Sequence, residues 1–373
     1  MRDEEESRMP LIVNVVGCRP NFIKIYPLIR EMKKHRCIES ILVHTGQHYD
    51  YMMHQVFFKD LKLPEPDIYL GAESANLSQR IIKIIEEFEK FLRRIKKVDL
   101  VVVFGDVDST LLCALAAAKL SIRVVHVEAG LRSFDMNMPE EINRVLTDSI
   151  SDYLFTPSID ANENLRKEGF PVEKIFMVGN IMIDTLLANR RRFASKKFYS
   201  QLGLKKKNYA VLTLHRPSNV DNAEQLTKLL TIIEEIQKKI KIVFPAHPRT
   251  SNIMVNNTEQ KRLIRKMRNV SVINPVGYLE FMNLLMNSRF VLTDSGGVQE
   301  EATVLNIPCL TLRDNTERPV TVSMGTNTVL GDNRDRILKT VEKIMAGEAK
   351  QANIPPLWDG KTAARIVKIL LNN

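Results

Sequence analysis

The chain is poor in cysteine: Cys18, Cys37, Cys113 and Cys309 are the only four in 373 residues, and no two stand as C-x-x-C. That scatter argues against both a zinc site and a disulfide framework, so all four are read as reduced and mostly buried. Missing too is any apolar run approaching the ~20 residues that a bilayer crossing needs. The opening "MRDEEESRMP" is acidic where a secretory signal is basic and then apolar. A cytoplasmic location with no membrane partner is therefore expected. No aromatic-plus-basic stripe, helix-turn-helix or RNA-binding signature occurs, so the net charge of +10 is not read as a nucleic-acid footprint. Lysines mixed with acids, as in "IIEEIQKKIKI", describe a solvated surface instead. Neither a G-x-G-x-x-G turn nor a Walker lysine loop is found, which removes the usual support for nicotinamide and ATP sites.

What is present is a rhythm. Short β-branched runs, "LIVNVVG", "ESILVHT", "LVVVFGD", "RVVHVEAG" and "YLFTP", alternate with amphipathic segments and read as buried parallel strands between helices. After Arg190 the pattern restarts with "YAVLTLH", "KIVFPAH", "VSVIN", "RFVLTD" and "IPCLTL", separated by helical stretches such as Glu224 to Lys239. The length suits two domains of roughly 150 residues each. The fold class expected is α/β, two Rossmann-like doubly wound lobes facing a cleft, with domains 1–180 and 181–359 and a terminal helix 360–373 packing back on the first. The change of lobe is placed near Gly179 to Arg190.

In such sheets ligands bind at the carboxyl edge of the strands, beside the following helix N-termini. The turns at those edges carry polar groups. "FVLTDSGGVQEEA" runs from a strand through Ser295, Gly296 and Gly297 into a helix; two glycines let a backbone approach a ligand, and the helix N-terminus suits a phosphate. Alone, a Gly-Gly turn is only a turn. With Ser295 before it and Glu301 one helical turn on, where a carboxylate can accept from sugar hydroxyls, phosphate and ribose binding is favoured. "TLRDNTERPV" offers Arg313, Glu317 and Arg318, either as forks for a diphosphate or as ordinary ion pairs.

In the first half Arg19 and Lys24 flank a helix start, and Asp106 follows Gly105 at a strand end. Asp108 and Ser109 read as helix caps. Glu128 emerges at the same edge as Asp106, Gly130 allows the turn, and "PEEINR" restarts a helix with Pro139 first. Glu140 and Arg144 stand one helical turn apart, close enough to pair. His215 and His247 each follow a strand in the second half, and two histidines at equivalent strand ends point to function.

Together "GCRPNFIK", "TGQHYD", "FGDVDST", "HVEAGLRS", "PEEINR", "LHRPSN", "TDSGGVQEEA" and "RDNTERP" make the chain resemble the non-hydrolysing UDP-N-acetylglucosamine 2-epimerases over essentially its whole length. The resemblance implies the fold of B-type glycosyltransferases, a homodimer through the first lobe, and reversible conversion of UDP-N-acetylglucosamine to UDP-N-acetylmannosamine with no nicotinamide or metal cofactor. By matching position it places Arg19, Lys24, Asp106, Glu128, Glu140, Arg144, His215, His247, Ser295, Gly296, Gly297, Glu301 and Arg318 in the site, with Val276 and Phe281 at the uracil. Asp106, Glu128, Glu140 and His215 are the expected proton-transfer set. Gln47 and His48 match the segment associated with an activating second substrate molecule. Two departures stand out: Asp50 and Tyr51 follow that segment, and Pro217 replaces a second arginine after Arg216. Rival readings are a glycosyltransferase of the same fold, a hydrolysing epimerase, and a nucleotide-sugar-binding regulator without turnover.

Overall fold

A computed structural model of the chain describes residues 9–47, 60–74, 76–95 and 97–372. His48, Asp50 and Tyr51 lie outside them. The chain divides into two compact units, Met1–Ala188 with Pro356–Asn373, and Asn189–Pro355.

The first unit is built on strands β1 (Leu11–Val16), β2 (Glu39–His44), β3 (Ile68–Tyr69), β4 (Leu100–Phe104), β5 (Arg123–Val127), β6 (Tyr153–Thr156) and β7 (Ile175–Met177). They lie in the order β3-β2-β1-β4-β5-β6-β7, and every pairing is parallel. Side chains on both faces of β1 and β4 are buried, which is why "LIVNVV" and "LVVVF" are continuous apolar runs rather than alternating ones. Helices α1 (Arg19–Met32), α2 (Leu77–Arg94), α3 (Asp108–Lys119), α4 (Pro139–Ile150) and α5 (Ile159–Lys167) make the crossovers. α2 turns Ile84, Phe88, Phe91 and Leu92 inward at helical spacing and leaves its lysines and glutamates in water.

α6 (Ile181–Ser195) carries the chain from one unit to the other, the division falling inside it between Ala188 and Asn189. The sequence boundary of 180/181 stands at the start of this helix, whose first apolar residues, Ile181, Met182, Ile183 and Leu186, are buried. The last helix, Thr362–Asn372, packs on α1. Its N-terminus is held by Asp184, whose carboxylate accepts from the N–H of Thr362 at 3.1 Å and of Ala363 at 2.8 Å. Just upstream the Trp358 indole donates to the Pro157 carbonyl at 2.9 Å.

The second unit repeats the plan with β8 (Tyr209–Thr213), β9 (Lys241–Pro245), β10 (Val270–Ile273), β11 (Phe290–Thr293), β12 (Cys309–Thr311) and β13 (Asn327–Val329). Their order is β10-β9-β8-β11-β12-β13, again parallel throughout. The helices that matter for the site are α7 (Ala223–Ile236), α8 (Tyr278–Asn287), α9 (Gly296–Val304) and α10 (Arg334–Met345). One apolar core joins Leu212, Leu230, Ile233, Phe244, Phe290, Leu310 and Ile337. Among the described residues no helix is long and apolar enough to cross a membrane.

In each sheet the winding reverses between two central strands, β1 and β4 in the first and β8 and β11 in the second. Chain leaving the carboxyl ends of those pairs runs to opposite sides and opens a crevice where ligands bind. The turns after these four strands begin at Gly17, Gly105, Leu214 and Asp294.

Candidate active site

At the first switch point Asn21 locks the two turns together. Its side-chain oxygen accepts from the N–H of Gly17 and Cys18 at 3.1 and 3.3 Å, while its amide donates to the Phe104 carbonyl at 3.0 Å. Gly105 follows with φ +67°, and a Cβ there would stand 2.4 Å from Lys24 Nζ. Glycine is thus demanded twice, by the backbone and by the lysine that fills the space. Lys24 Nζ meets Glu128 Oε2 at 2.6 Å with both side chains buried. Glu128 itself has φ +76°, and its other oxygen, Oε1, is buried without a hydrogen-bond partner. A carboxylate taken out of water and left half-satisfied marks a place where a further donor is expected.

Asp106 lies beside this pair with a side chain 22% exposed, its Oδ2 accepting from Arg144 Nε at 3.1 Å and Nη2 at 3.0 Å. Arg144 is buried and also binds the Glu141 carboxylate. Glu140 is half-buried in the first turn of α4. Arg144 thus meets Asp106 and Glu141. Three residues apart on a helix, Glu141 and Arg144 are neighbours as much as residues four apart.

The caps expected of Asp108 and Ser109 are a correction. Val107 is the residue before α3, and no side chain caps it. Asp108 Oδ2 accepts from Arg80 Nη2 at 3.1 Å and from the Gln47 amide at 3.3 Å. Ser109 donates its hydroxyl to Gln47 Oε1 at 2.7 Å. Longer-range partners have won both side chains from the local helix end.

Behind the site lies a network that sequence reading missed. Buried His126 bonds the Gly105 carbonyl through Nε2 at 2.8 Å and Asp148 through Nδ1 at 2.6 Å. Asp148 also meets Arg132 at 2.7 Å, and Arg132 meets Glu168 at 2.7 Å. Burial alone would raise the Asp148 carboxyl, but His126 and Arg132 outweigh it and hold it below the usual carboxylate range. His126 looks in sequence like an ordinary member of "RVVHV"; its only signal is a polar residue within the apolar part of the strand, Val124 to Val127.

At the second switch point Asp294 is the organiser. It is fully buried and accepts from the N–H of His215 and Arg216, each at 2.9 Å, and from His215 Nδ1 at 3.0 Å. Burial would push its carboxyl up; His215 and these N–H groups bring it below the ordinary value. The His215 ring is fixed through Nδ1, so Nε2 is the nitrogen it presents elsewhere. The His247 ring lies 6.3 Å away, centroid to centroid. The structure therefore brings the two strand-end histidines of the second unit together.

Ser295 precedes α9 without spending its hydroxyl on a cap. The helix opens at Gly296, where a Cβ would lie 2.4 Å from Arg318 Nη1. Arg318 is held there by Glu300 at 2.8 Å and Glu317 at 3.4 Å. Glu317, fully buried, also takes a two-pronged bond from Arg313 at 2.8 and 3.0 Å and meets Arg216 at 3.6 Å. Three guanidinium groups thus converge on one carboxylate beside a helix N-terminus, an arrangement with positive charge to spare for an anion. Glu301 is buried one turn into α9 beside the Tyr278 hydroxyl, which burial and that carboxylate together drive well above its ordinary pKa. Val276 and Phe281, half-buried, flank the start of α8. Arg19 opens α1 at the first switch point.

Both sheet edges therefore carry charge where doubly wound folds bind ligands. A curated UDP-N-acetylglucosamine 2-epimerase from Methanocaldococcus jannaschii is 45% identical over 95% of this chain and 97% of its own length. The solved structure of that organism's UDP-GlcNAc 2-epimerase, in complex with UDP-GlcNAc and UDP, matches with a TM-score of 0.90 at 43% identity, over 97% of this chain and all of that one. A UDP-2,3-diacetamido-2,3-dideoxy-D-glucuronate 2-epimerase from Pseudomonas aeruginosa is 40% identical over 96% of this chain and 99% of its own. A lipopolysaccharide outer core galactosyltransferase, 13% identical with a TM-score of 0.56 over 97% of this chain and all of that one, shares the fold alone. The family profile described as UDP-N-acetylglucosamine 2-epimerase spans residues 30–371, and the chain belongs to that family.

Proposed function

We propose that the protein interconverts UDP-N-acetylglucosamine and UDP-N-acetylmannosamine in the cytoplasm, without a redox step. The hydrogen on sugar carbon 2 has no adjacent carbonyl to acidify it. Its removal becomes feasible when the bond from carbon 1 to the phosphate oxygen breaks at the same time, UDP taking the electron pair and an unsaturated sugar remaining. Return of a proton to the opposite face of carbon 2, with attack of the UDP oxygen on carbon 1, completes inversion.

The observation that carries this reading is the pair of carboxylates after β4 and β5. Glu128 is buried with Oε1 unpartnered, Asp106 is partly exposed, and each has its own cation, Lys24 and Arg144. Proton transfer on two faces needs two such groups in different settings. Asp106, Glu128 and Glu140 are assigned the proton-transfer set, with His215 assisting the departing phosphate. Arg19, Lys24, Arg144 and Arg318 offset the charge that grows on the diphosphate as it leaves. The Ser295, Gly296 and Gly297 turn holds phosphate, Glu301 the ribose, Val276 and Phe281 the uracil, and His247 the diphosphate.

A homodimer through the first unit belongs to the same proposal. Leu77 and Ile82 on α2 and Ile142 and Leu146 on α4 are exposed apolar side chains that support it; sedimentation velocity gives the mass directly.

The reaction is tested by following UDP-N-acetylglucosamine in heavy water by proton NMR, with UDP-2,3-diacetamido-2,3-dideoxy-D-glucuronate in parallel. Appearance of the manno epimer with deuterium at carbon 2 is the expected result. Retention of the original hydrogen there rules out elimination, and release of free sugar points to hydrolysis. Turnover of the diacetamido sugar alone reassigns the substrate.

A further inference from the structure

We propose that Glu141 is a positioning residue for the reaction, fixing through Arg144 where the Asp106 carboxylate stands. This rests on the reading of Asp106 as a proton-transfer group.

Glu141 is fully buried at the start of α4, where an unpaired carboxylate is strongly destabilising. Its oxygens are spent on two tasks. They accept from the Ser133 N–H at 2.9 and 3.0 Å and from the Phe134 N–H at 2.8 Å, and they bind Arg144 Nη1. The same guanidinium places Nε and Nη2 on Asp106 Oδ2. A guanidinium is a rigid plane, so the carboxylate that grips one edge sets the direction in which the other edge donates. Asp106 needs such guidance: it follows a glycine in the left-handed region and is 22% exposed at a sheet edge. Its backbone is clamped from the same helix by the Asn143 amide, 3.0 Å from the Asp106 carbonyl. Orientation within about half an ångström is what a proton-transfer group requires.

The other end of Glu141 anchors a strained turn. Phe134 has φ +59° and is 75% exposed, so apolar burial does not hold it in a conformation that is strained for a residue with a Cβ. The bonds to Glu141 do. One carboxylate thus joins the 133–134 turn to the reacting edge, and Glu141 acts on Asp106 without touching substrate.

Glu141→Gln removes the charge that steers Arg144. Expected are a kcat lower by about thirtyfold and a KM within about threefold, with the folding transition and UDP affinity preserved. In an Arg144→Lys background, where a point charge replaces the plane, the same Glu141→Gln change is expected to cost less than about twofold. A kcat within threefold of the parent, or an equal loss in both backgrounds, overturns the inference, the second because it marks a purely structural anchor. If Glu141→Gln fails to fold, Glu141→Asp serves. It keeps the charge but shortens the reach by one methylene, and a kcat unchanged in that variant overturns the inference equally. Asp106→Asn separates the two levels: near-normal turnover there removes Asp106 from the chemistry whatever Glu141 does, whereas abolished turnover with an innocent Glu141 sinks the positioning role alone.

Discussion

Gly296 shows at a single position how a residue type is dictated by its neighbour rather than by its own backbone. Its φ is not in the left-handed region, and in a helix alanine is favoured over glycine by about 1 kcal/mol. Yet an added Cβ would meet Arg318 Nη1 at 2.4 Å and Cζ at 2.8 Å. Gly296→Ala should therefore fold, because the helix gains what glycine lacked, while Arg318 is pushed off the helix N-terminus. The expected outcome is unchanged far-UV circular dichroism with a UDP Kd raised at least about tenfold, or roughly 1.4 kcal/mol, measured by calorimetry. An unaltered Kd would take the helix N-terminus and Arg318 out of UDP binding. At this scale the sequence was partly legible. Asp106, Glu128, Ser295 and the glycines are visible because they follow apolar runs. Asp294, Glu141 and His126 are not, because a buried carboxylate serving N–H donors and a solvated one are spelled the same way, and "PEE" does not say which glutamate turns inward.

Among the elements, the ten strands read as apolar runs all form; most are buried parallel strands, apolar on both faces and so plain in sequence, while the edge strand β10 is legible from its β-branched residues. β3, β7 and β13 were not read. They have two or three residues each and lie at or next to sheet edges, where pairing comes from tertiary context and leaves no periodicity. The last helix was legible from its apolar spacing, but not the group that docks it. Asp184 accepts from its first two N–H groups, and burial raises the carboxyl above its ordinary pKa despite those donors. Asp184→Ala should lower stability by about 1–2 kcal/mol in urea unfolding, the scale of a lost cap. Asp184→Asn, which keeps an acceptor and carries no charge to desolvate, should lose less than half of that. Because the folded value is raised, the native state binds the proton more tightly than the unfolded one. Wild-type stability should thus gain as pH falls from the raised value toward the ordinary one, and the Asn variant should lack that gain. Equal losses for Ala and Asn would mean that the carboxylate does not cap the helix.

For the whole molecule, a single restart of the strand rhythm was enough to read two doubly wound sheets, and the positions of the switch points follow from strand order alone. The units differ in continuity, in the way a terminal helix packing back on the first lobe requires. The first is closed by chain returning from Pro356 onward, whereas the second is the unbroken segment Asn189–Pro355 with its own sheet and core. That segment has ordinary domain length, and it contains the Gly296 helix start, Arg318, His247 and the Asp294 and Glu317 carboxylates around them. Expressed alone, Asn189–Pro355 should unfold in a single cooperative urea transition and bind UDP with a Kd below about 1 mM, and Gly296→Ala within the fragment should weaken that binding as it does in the full chain. It should show no exchange of the carbon 2 hydrogen with solvent, because Asp106 and Glu128 belong to the other unit. A fragment that folds cooperatively but ignores UDP would leave the diphosphate to Arg19, Lys24 and Arg144 of the first unit. One that exchanges the sugar hydrogen would overturn the assignment of proton transfer to the first sheet, since no carboxylate of that sheet is present to do it.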